Sequence, residues 1–262
     1  MRARKRFGQH FLEPAWVAKL VAAIDPRPEE TFLEIGPGRG ALTLALAPRA
    51  GRLVAVEIDR DLAAALPDLV PGNFRVVEGD FLDTDLAALL AGERRPVRVA
   101  GNLPYNVATP ILARLLDAAE GGRVLLDATV MLQKEVAERV VAGPGSPDYG
   151  PLAIAVALDA DAASILTLPP GAFRPPPQVT SAVVRMRFRP AAVEVGDRAV
   201  FERLVRGAFQ QRRKTILNAL GPPAATLGRD PADLLARAGV DPRIRPGDLP
   251  LEGFAALSRA VL

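Results

Sequence analysis

Apolar positions change their period along this chain. From residue 14 to 24, Val17, Leu20, Val21 and Ile24 recur at helical spacing, and Pro14 occupies a first-turn position that needs no amide proton. Short apolar runs at 31–35, 53–57, 74–77 and 97–100 then read as strands, followed by a longer run at 124–132. Helices are predicted to start near Gly40, Arg60, Thr109 and Lys134. Strands alternating with helices argue for a parallel sheet covered on both faces. Two stretches, 143–151 and 168–177, are rich in glycine and proline and read as loops. After them a β-branched run at 179–188 carries Arg185 and Arg187 at alternate positions, as a strand with one wet face would. From Phe201 onward the pattern is helical, with breaks at 221–223, 242 and 246–247. The expected architecture is α/β with a mostly parallel central sheet, over residues 1–189, joined to a small all-helical domain over 190–262.

Composition narrows the chemistry. The 262 residues are 49% hydrophobic and 24% charged, a globular balance. No apolar run reaches membrane-spanning length, and the basic start lacks a following signal core, so a soluble cytoplasmic protein is expected. Cysteine is absent, which removes disulfides, thiolate nucleophiles and cysteine-bound metal clusters. His10 is the single histidine, which argues against a histidine-built zinc site or a serine–histidine triad, and no metal is expected.

Net charge is only +3 but unevenly spread. Arg2, Arg4, Lys5 and Arg6 open the chain without an acid among the first twelve residues, and 174–214 holds ten basic side chains against Glu194, Asp197 and Glu202. Four lysines among 33 basic residues leave arginine dominant, and its forked donors suit phosphate and stack on bases. Scattered arginines are ordinary solvated surface. The cluster Arg206, Arg212, Arg213 and Lys214, set around one predicted helix with Phe209 among it, is expected to grip RNA, as are Arg4, Lys5 and Arg6; Phe209 itself is expected in the core.

Residues 34–40, Glu-Ile-Gly-Pro-Gly-Arg-Gly, close the first strand of the series and open a helix. Glycines permit a tight turn and close backbone approach to a ligand, and a helix start offers N–H groups. Gly36, Gly38 and Ala41 also satisfy a dinucleotide fingerprint, so the loop alone does not choose the cofactor. Two acids narrow the choice. Glu57 ends the second strand, where a carboxylate can accept both ribose hydroxyls, and Asp80 ends the third, where it can receive an adenine amino group. Either alone has a plain reading as a solvated strand end. In order after the glycine loop they favour S-adenosylmethionine over a nicotinamide dinucleotide.

The fourth strand ends in Gly101, Asn102, Leu103, Pro104 and Tyr105. Ligands of open α/β sheets collect at such strand ends. An exocyclic amine on a base is a poor nucleophile because its lone pair is delocalised into the ring. Carbonyl oxygens that accept its hydrogens hold it in line and stabilise developing positive charge, and an aromatic ring stacks on the unstacked base. Asn102, the backbone at Leu103 and Pro104, and Tyr105 supply these parts, and Asn102 also borders the cofactor.

Together these segments resemble a known family, the small-subunit ribosomal RNA adenine dimethyltransferases. The resemblance spans nearly the whole chain: residues 4–12, 34–43, 56–59, 79–80, 101–110, 131–150, 173–184 and 208–220. It implies a Rossmann-like class I methyltransferase fold and transfer of methyl groups to two neighbouring adenosines near the 3′ end of that RNA. It implies too that Gln9, His10 and Leu12 close over the cofactor, with Gly36 at its methionine end, Glu57 on the ribose and Asp80 on the adenine. Position 10, often asparagine in bacterial relatives, is histidine here, and Pro151 stands where relatives often carry a basic residue. The implied partners are small-subunit rRNA or the assembling 30S particle, met by a monomer. The alternatives are a large-subunit rRNA adenine methyltransferase of the drug-resistance type, which shares the glycine loop and the Asn-x-Pro-Tyr corner, and a non-enzymatic nucleic-acid-binding factor on the same scaffold. A dehydrogenase is compatible with the glycine loop alone.

Overall fold

The computed structural model describes residues 11–70 and 72–261. In chain order the elements are β1 (Phe11–Leu12), α1 (Pro14–Ile24), β2 (Thr31–Ile35), α2 (Ala41–Leu46), β3 (Arg52–Glu57), α3 (Arg60–Leu69), β4 (Phe74–Glu78), α4 (Leu86–Leu89), β5 (Val97–Asn102), α5 (Ala108–Ala118), β6 (Leu125–Gln133), α6 (Lys134–Val141), α7 (Pro151–Asp159), β7 (Ala160–Leu168), β8 (Phe173–Arg174), β9 (Ser181–Phe188), α8 (Arg198–Gln210), α9 (Ile216–Thr226), α10 (Pro231–Ala238) and α11 (Leu251–Val261). They fall into two compact units. One takes the described residues up to Glu138 together with Ala160–Pro190; the other takes Arg139–Asp159 and the described residues from Ala191 onward. The chain leaves the first unit at 190, where sequence reading set a boundary, but also lends the second unit the segment at 139–159.

Seven strands of the first unit form one sheet in the order β4-β3-β2-β5-β6-β9-β7. The pairs from β4 through β6 are parallel; β9 runs antiparallel to both β6 and β7. Every residue of β2 and nearly all of β3 and β5 is buried, which is why these strands read as largely apolar runs, interrupted by Glu34 and Arg98, rather than as alternating ones. Leu20 and Ile24 of α1 pack with Phe32, Leu46 and Phe173 in the same core. β1 and β8 add a small antiparallel ribbon that places Leu12 opposite Phe173. Arg187 is exposed, as the wet face predicts, while Arg185 on the same face is partly buried, its guanidinium donating to the carbonyl of Ala23.

The segment at 152–167 had no assignment from sequence, and Pro151 and Leu168, read as loop ends, belong to the elements it forms. It forms α7 and β7 back to back, with Asp159 ending one and Ala160 beginning the other. α7 is apolar on most of its circumference, and no turn residue separates it from the strand, so neither period nor punctuation marks the change.

In the second unit, Leu204, Ile216, Leu220, Phe254 and Leu257 are fully buried together, and Phe209 packs against them, its ring 5.9 Å from that of Phe254. Asp197 and Asp230 cap α8 and α10. One expectation is corrected: α9 does not break at 221–223 but continues through Pro222 and Pro223. Proline keeps a helical φ but loses its own amide bond and crowds the carbonyl four residues back; the ring of Pro223 fills the space left by Gly207 on α8, where an added Cβ would meet it at 2.7 Å, so packing offsets part of that cost. A second correction concerns the basic cluster. Arg206 lies on α8, but Arg212, Arg213 and Lys214 lie in the turn between α8 and α9 and not on one helix. The chain turns there with the Lys214 amide donating to the Gln211 carbonyl, which carries Ile216 into the core.

At the end of the sheet away from the glycine loop, Arg98 is 6% exposed. It makes a bidentate pair with Asp127 at 2.9 Å for both bonds, reaches Glu30 at 2.9 Å, and donates to the carbonyls of Ile24 and Asp25 at the end of α1. One guanidinium thus ties α1, β5 and β6 and satisfies carbonyls that a helix end leaves without partners. Asp127→Ala removes the bidentate partner of this buried cation and leaves it only Glu30 as an ion-pair partner among the described residues, and is expected to cost about 3 kcal/mol in urea unfolding, whereas Arg98→Met combined with Asp127→Leu recovers part of that loss.

Candidate active site

β2 and β5 are neighbours although the chain visits β3 and β4 between them, so the strand order reverses there and a crevice opens beyond their carboxyl ends. The glycine loop at 36–40 enters this crevice from β2. Gly36, Gly38 and Gly40 have φ of 65, 59 and 79°, a left-handed region that other residues adopt at a cost. The amides of these glycines are not left for a ligand: Gly36 donates to the Val56 carbonyl, Gly38 to Glu57 and Gly40 to the Pro37 carbonyl. The loop is a pre-tightened surface, and what it offers a ligand is the bare side of Gly36, where even an added Cβ would meet nothing within 4 Å.

Glu57 is the residue that holds the loop. Its Oε2 accepts the Gly38 amide at 2.8 Å and its Oε1 the Asp59 amide at 2.9 Å. Each carboxylate oxygen has a second lone-pair direction for a hydroxyl donor. Burial raises the Glu57 pKa, with the amide bonds from Asp59 and Gly38 opposing.

Across the crevice, the Leu103 amide donates to the Met131 carbonyl, so the β5–β6 ladder holds the corner rigid. Asn102, Leu103, Pro104 and Tyr105 line the same cleft as Gly36, Gly38 and Glu57. Leu12 closes one side of it. Tyr105 is half-buried, and its hydroxyl is 2.8 Å from Ser181 Oγ; burial raises its pKa. Asp80 stands apart. It is exposed, follows the end of β4 by two residues, and accepts the Leu82 amide at 2.8 Å. Its loop is fixed by Arg114, which donates to the carbonyls of Leu82 and Thr84. Gln9, His10, Arg4, Lys5 and Arg6 lie outside the described residues. Among the described residues no cluster of histidine, cysteine or carboxylates could hold a metal ion, and no helix is long and apolar enough to cross a membrane.

Glu34 is the cleft residue that sequence reading passed over. It is 1% exposed, lies in the otherwise apolar β2, and its Oε2 has no hydrogen-bond partner among the described residues. An acid inside an uninterrupted apolar strand, two residues before a glycine turn, was the available signal. Burial drives its pKa up to about 8, and the nearby Glu57 charge adds to the rise; the Thr43 side chain opposes it but sits outside hydrogen-bonding geometry.

Similarity to known proteins agrees with this geometry. A family model described as ribosomal RNA adenine dimethylase matches residues 1–244. The ribosomal RNA small subunit methyltransferase A of Aromatoleum aromaticum is 46% identical over 263 residues, covering 99% of this chain and 94% of that protein. That of Acinetobacter baylyi is 44% identical, covering 98% and 92%. The chain belongs to the ribosomal RNA adenine dimethylase family. A dimethyladenosine transferase from Plasmodium falciparum, 23% identical, has the same fold, with a TM-score of 0.79 over 95% of this chain and 96% of that one. As a member of this family the chain is a methyltransferase, and S-adenosylmethionine is its cofactor. The residues present fit that group: an orphaned buried carboxyl oxygen on Glu34, a side-chain-free wall at Gly36 and an anchored acceptor at Glu57 lie in one cleft.

The buried acid gives a pH test. Between the ordinary carboxyl value and about 8, Glu34 keeps its proton in the folded protein and loses it in the unfolded one, so it destabilises the fold increasingly as pH rises through that window. Glu34→Gln keeps the shape without the titration. Its thermal midpoint relative to the unaltered protein is expected to climb from pH 5 to pH 8 and then level off.

Proposed function

We propose that this protein transfers methyl groups to the exocyclic amino nitrogens of two adjacent adenosines near the 3′ end of small-subunit rRNA, giving N6,N6-dimethyladenosines during maturation of the small subunit. It acts as a cytoplasmic monomer on small-subunit rRNA, either free or in the assembling 30S particle. The observation that carries this reading is that the Asn102 corner and the Glu57-held glycine loop share one cleft. The small-subunit assignment is supported by the names of the relatives, which match almost end to end.

When bound, S-adenosylmethionine supplies an electrophilic methyl group. The chain's part is positioning. The Pro104 carbonyl already takes the Val107 amide at 3.2 Å, while among the described residues no backbone amide donates to the Leu103 carbonyl. Asn102 Oδ1 and the Leu103 carbonyl are therefore the two acceptors for the amine hydrogens, and Pro104 keeps the Leu103 carbonyl aimed into the cleft. Tyr105 stacks on the base. As the nitrogen bonds to carbon it becomes acidic and sheds its proton to water, so no side-chain base is needed. Glu57 holds the ribose, and Asp80, out at the rim, takes the adenine amino group of the donor; Gln9, His10 and Leu12 cover it.

RNA is gripped by exposed cations. Arg206 is paired with Glu202 at 2.6 Å, and Arg212 donates to the Ser146 carbonyl at 3.0 Å, so both carry structural bonds as well as charge. Arg213 and Lys214 are exposed in the same turn and are the stronger phosphate candidates. Arg4, Lys5 and Arg6 add charge at the amino terminus.

Asn102→Ala is expected to slow methyl transfer to unmodified small-subunit particles on the order of 10²–10³-fold while largely sparing cofactor affinity; full activity in that variant would remove Asn102 from its role. Arg213→Ala with Lys214→Ala should leave cofactor binding intact and lower the slope of log affinity for RNA against log salt by about two. An unchanged slope would show that the turn does not touch phosphate.

A further inference from the structure

The partner of the Tyr105 hydroxyl has no part in the chemistry so far. Ser181 is fully buried at the first position of β9. It is register-paired with Gln133 of β6 on one side and Leu168 of β7 on the other. The residue before it is fixed as well, the Thr180 carbonyl accepting the Lys134 amide at 2.9 Å. Because β9 runs antiparallel to β6, its beginning lies at the end of the sheet where the cleft opens. The serine oxygen is thus an immobile point, 76 residues away in sequence from the ring it meets.

A tyrosine side chain joined only through Cβ can move about two torsions. A hydrogen bond at the far end of the ring fixes its tilt as well. Phenylalanine would offer a base the same π face, so what the phenol adds at this position is its bond to Ser181. We propose that Ser181 is a positioning residue for methyl transfer: by holding the Tyr105 hydroxyl it sets the angle at which the ring receives the target adenine, and thereby the alignment of the amino nitrogen with Asn102. The inference rests on the role given to Tyr105 above. Burial, which raises the Tyr105 pKa, keeps the phenol protonated and the bond in place across the neutral range. Ser181 is fully buried and is not among the residues lining the cleft, so its effect is assigned to the ring it holds. Ground-state cofactor binding should not register it.

The experiment is a double-mutant cycle on the full-length protein, with Ser181→Ala, Tyr105→Phe and the two combined. Methyl transfer from labelled S-adenosylmethionine to small-subunit particles lacking the modification gives kcat and KM, calorimetry gives cofactor affinity, and thermal melting reports folding. Each single change is expected to lower kcat/KM by about three- to tenfold, the scale of one hydrogen bond. The double variant should fall no further than either single, because both remove the same bond, and cofactor affinity should hold throughout. Singles that match the unaltered protein, or effects that multiply in the double, overturn the proposal. Should Ser181→Ala also lower melting and cofactor affinity, Tyr105→Phe decides alone, since it leaves the sheet untouched: a loss confined to kcat/KM supports the tether, and no loss refutes it. An unaltered protein that binds the cofactor yet methylates no particle overturns the functional reading itself, a result distinct from all of these.

Discussion

The close approach of β2 to β5 is the constraint on which the site depends. An added Cβ at Gly101 would stand 2.7 Å from the carbonyl oxygen of Ile35, a distance that real side chains do not adopt. Glycine at 101 therefore lets the two strand ends lie side by side, with Ile35 in register with Gly101. β2 ends at Ile35 and passes into the glycine loop, while β5 runs one residue further, to Asn102, before it turns into the corner. On the proposed reading, two chemical jobs, holding a donor and presenting an amine acceptor set, are brought together by a backbone contact with no chemistry of its own.

Around that contact, polar groups act mainly as fasteners. Glu57 spends one lone pair of each oxygen on amides of the chain and keeps the others for a ligand. Arg98 fastens the opposite end of the sheet to α1, and Arg114 fastens the loop that carries Asp80. In the second unit, Arg212 and Tyr149 hold the loop at 143–149, through the Ser146 carbonyl and the Leu249 carbonyl. On the proposed reading the site works by placing reactants, with little acid–base chemistry of its own, and such a site needs this rigidity, since alignment would be the source of its rate.

Much of this was legible in the sequence because local rules and tertiary context agreed. The run at 31–35 and the helix at 14–24 were read to the residue, since a buried parallel strand and an amphipathic helix state their periods plainly. The cleft residues Gly36, Gly38, Glu57 and Asn102 followed from their places at strand ends. What was hidden was hidden for physical reasons. α7 and β7 meet without a turn residue, so no period marks the junction. The prolines of α9 looked like a break because their packing partner, Gly207, is visible only in three dimensions. Residues 212–214 continue a helical pattern in sequence but turn away to bury Ile216. Glu34 and Ser181 are ordinary letters whose meaning lies in burial and in a partner far along the chain.

The central claim is that donor and target amine meet between the glycine loop and the Asn102 corner. The most direct measurement is a crystal structure with S-adenosylmethionine bound. The account predicts the ribose hydroxyls on Glu57, the methionine end against Gly36, and the sulfonium methyl directed at a gap beside Asn102 wide enough for an amine about 3–3.5 Å from the methyl carbon. A donor bound elsewhere, or one whose methyl points away from Asn102 with the corner closed by packed side chains, would contradict it.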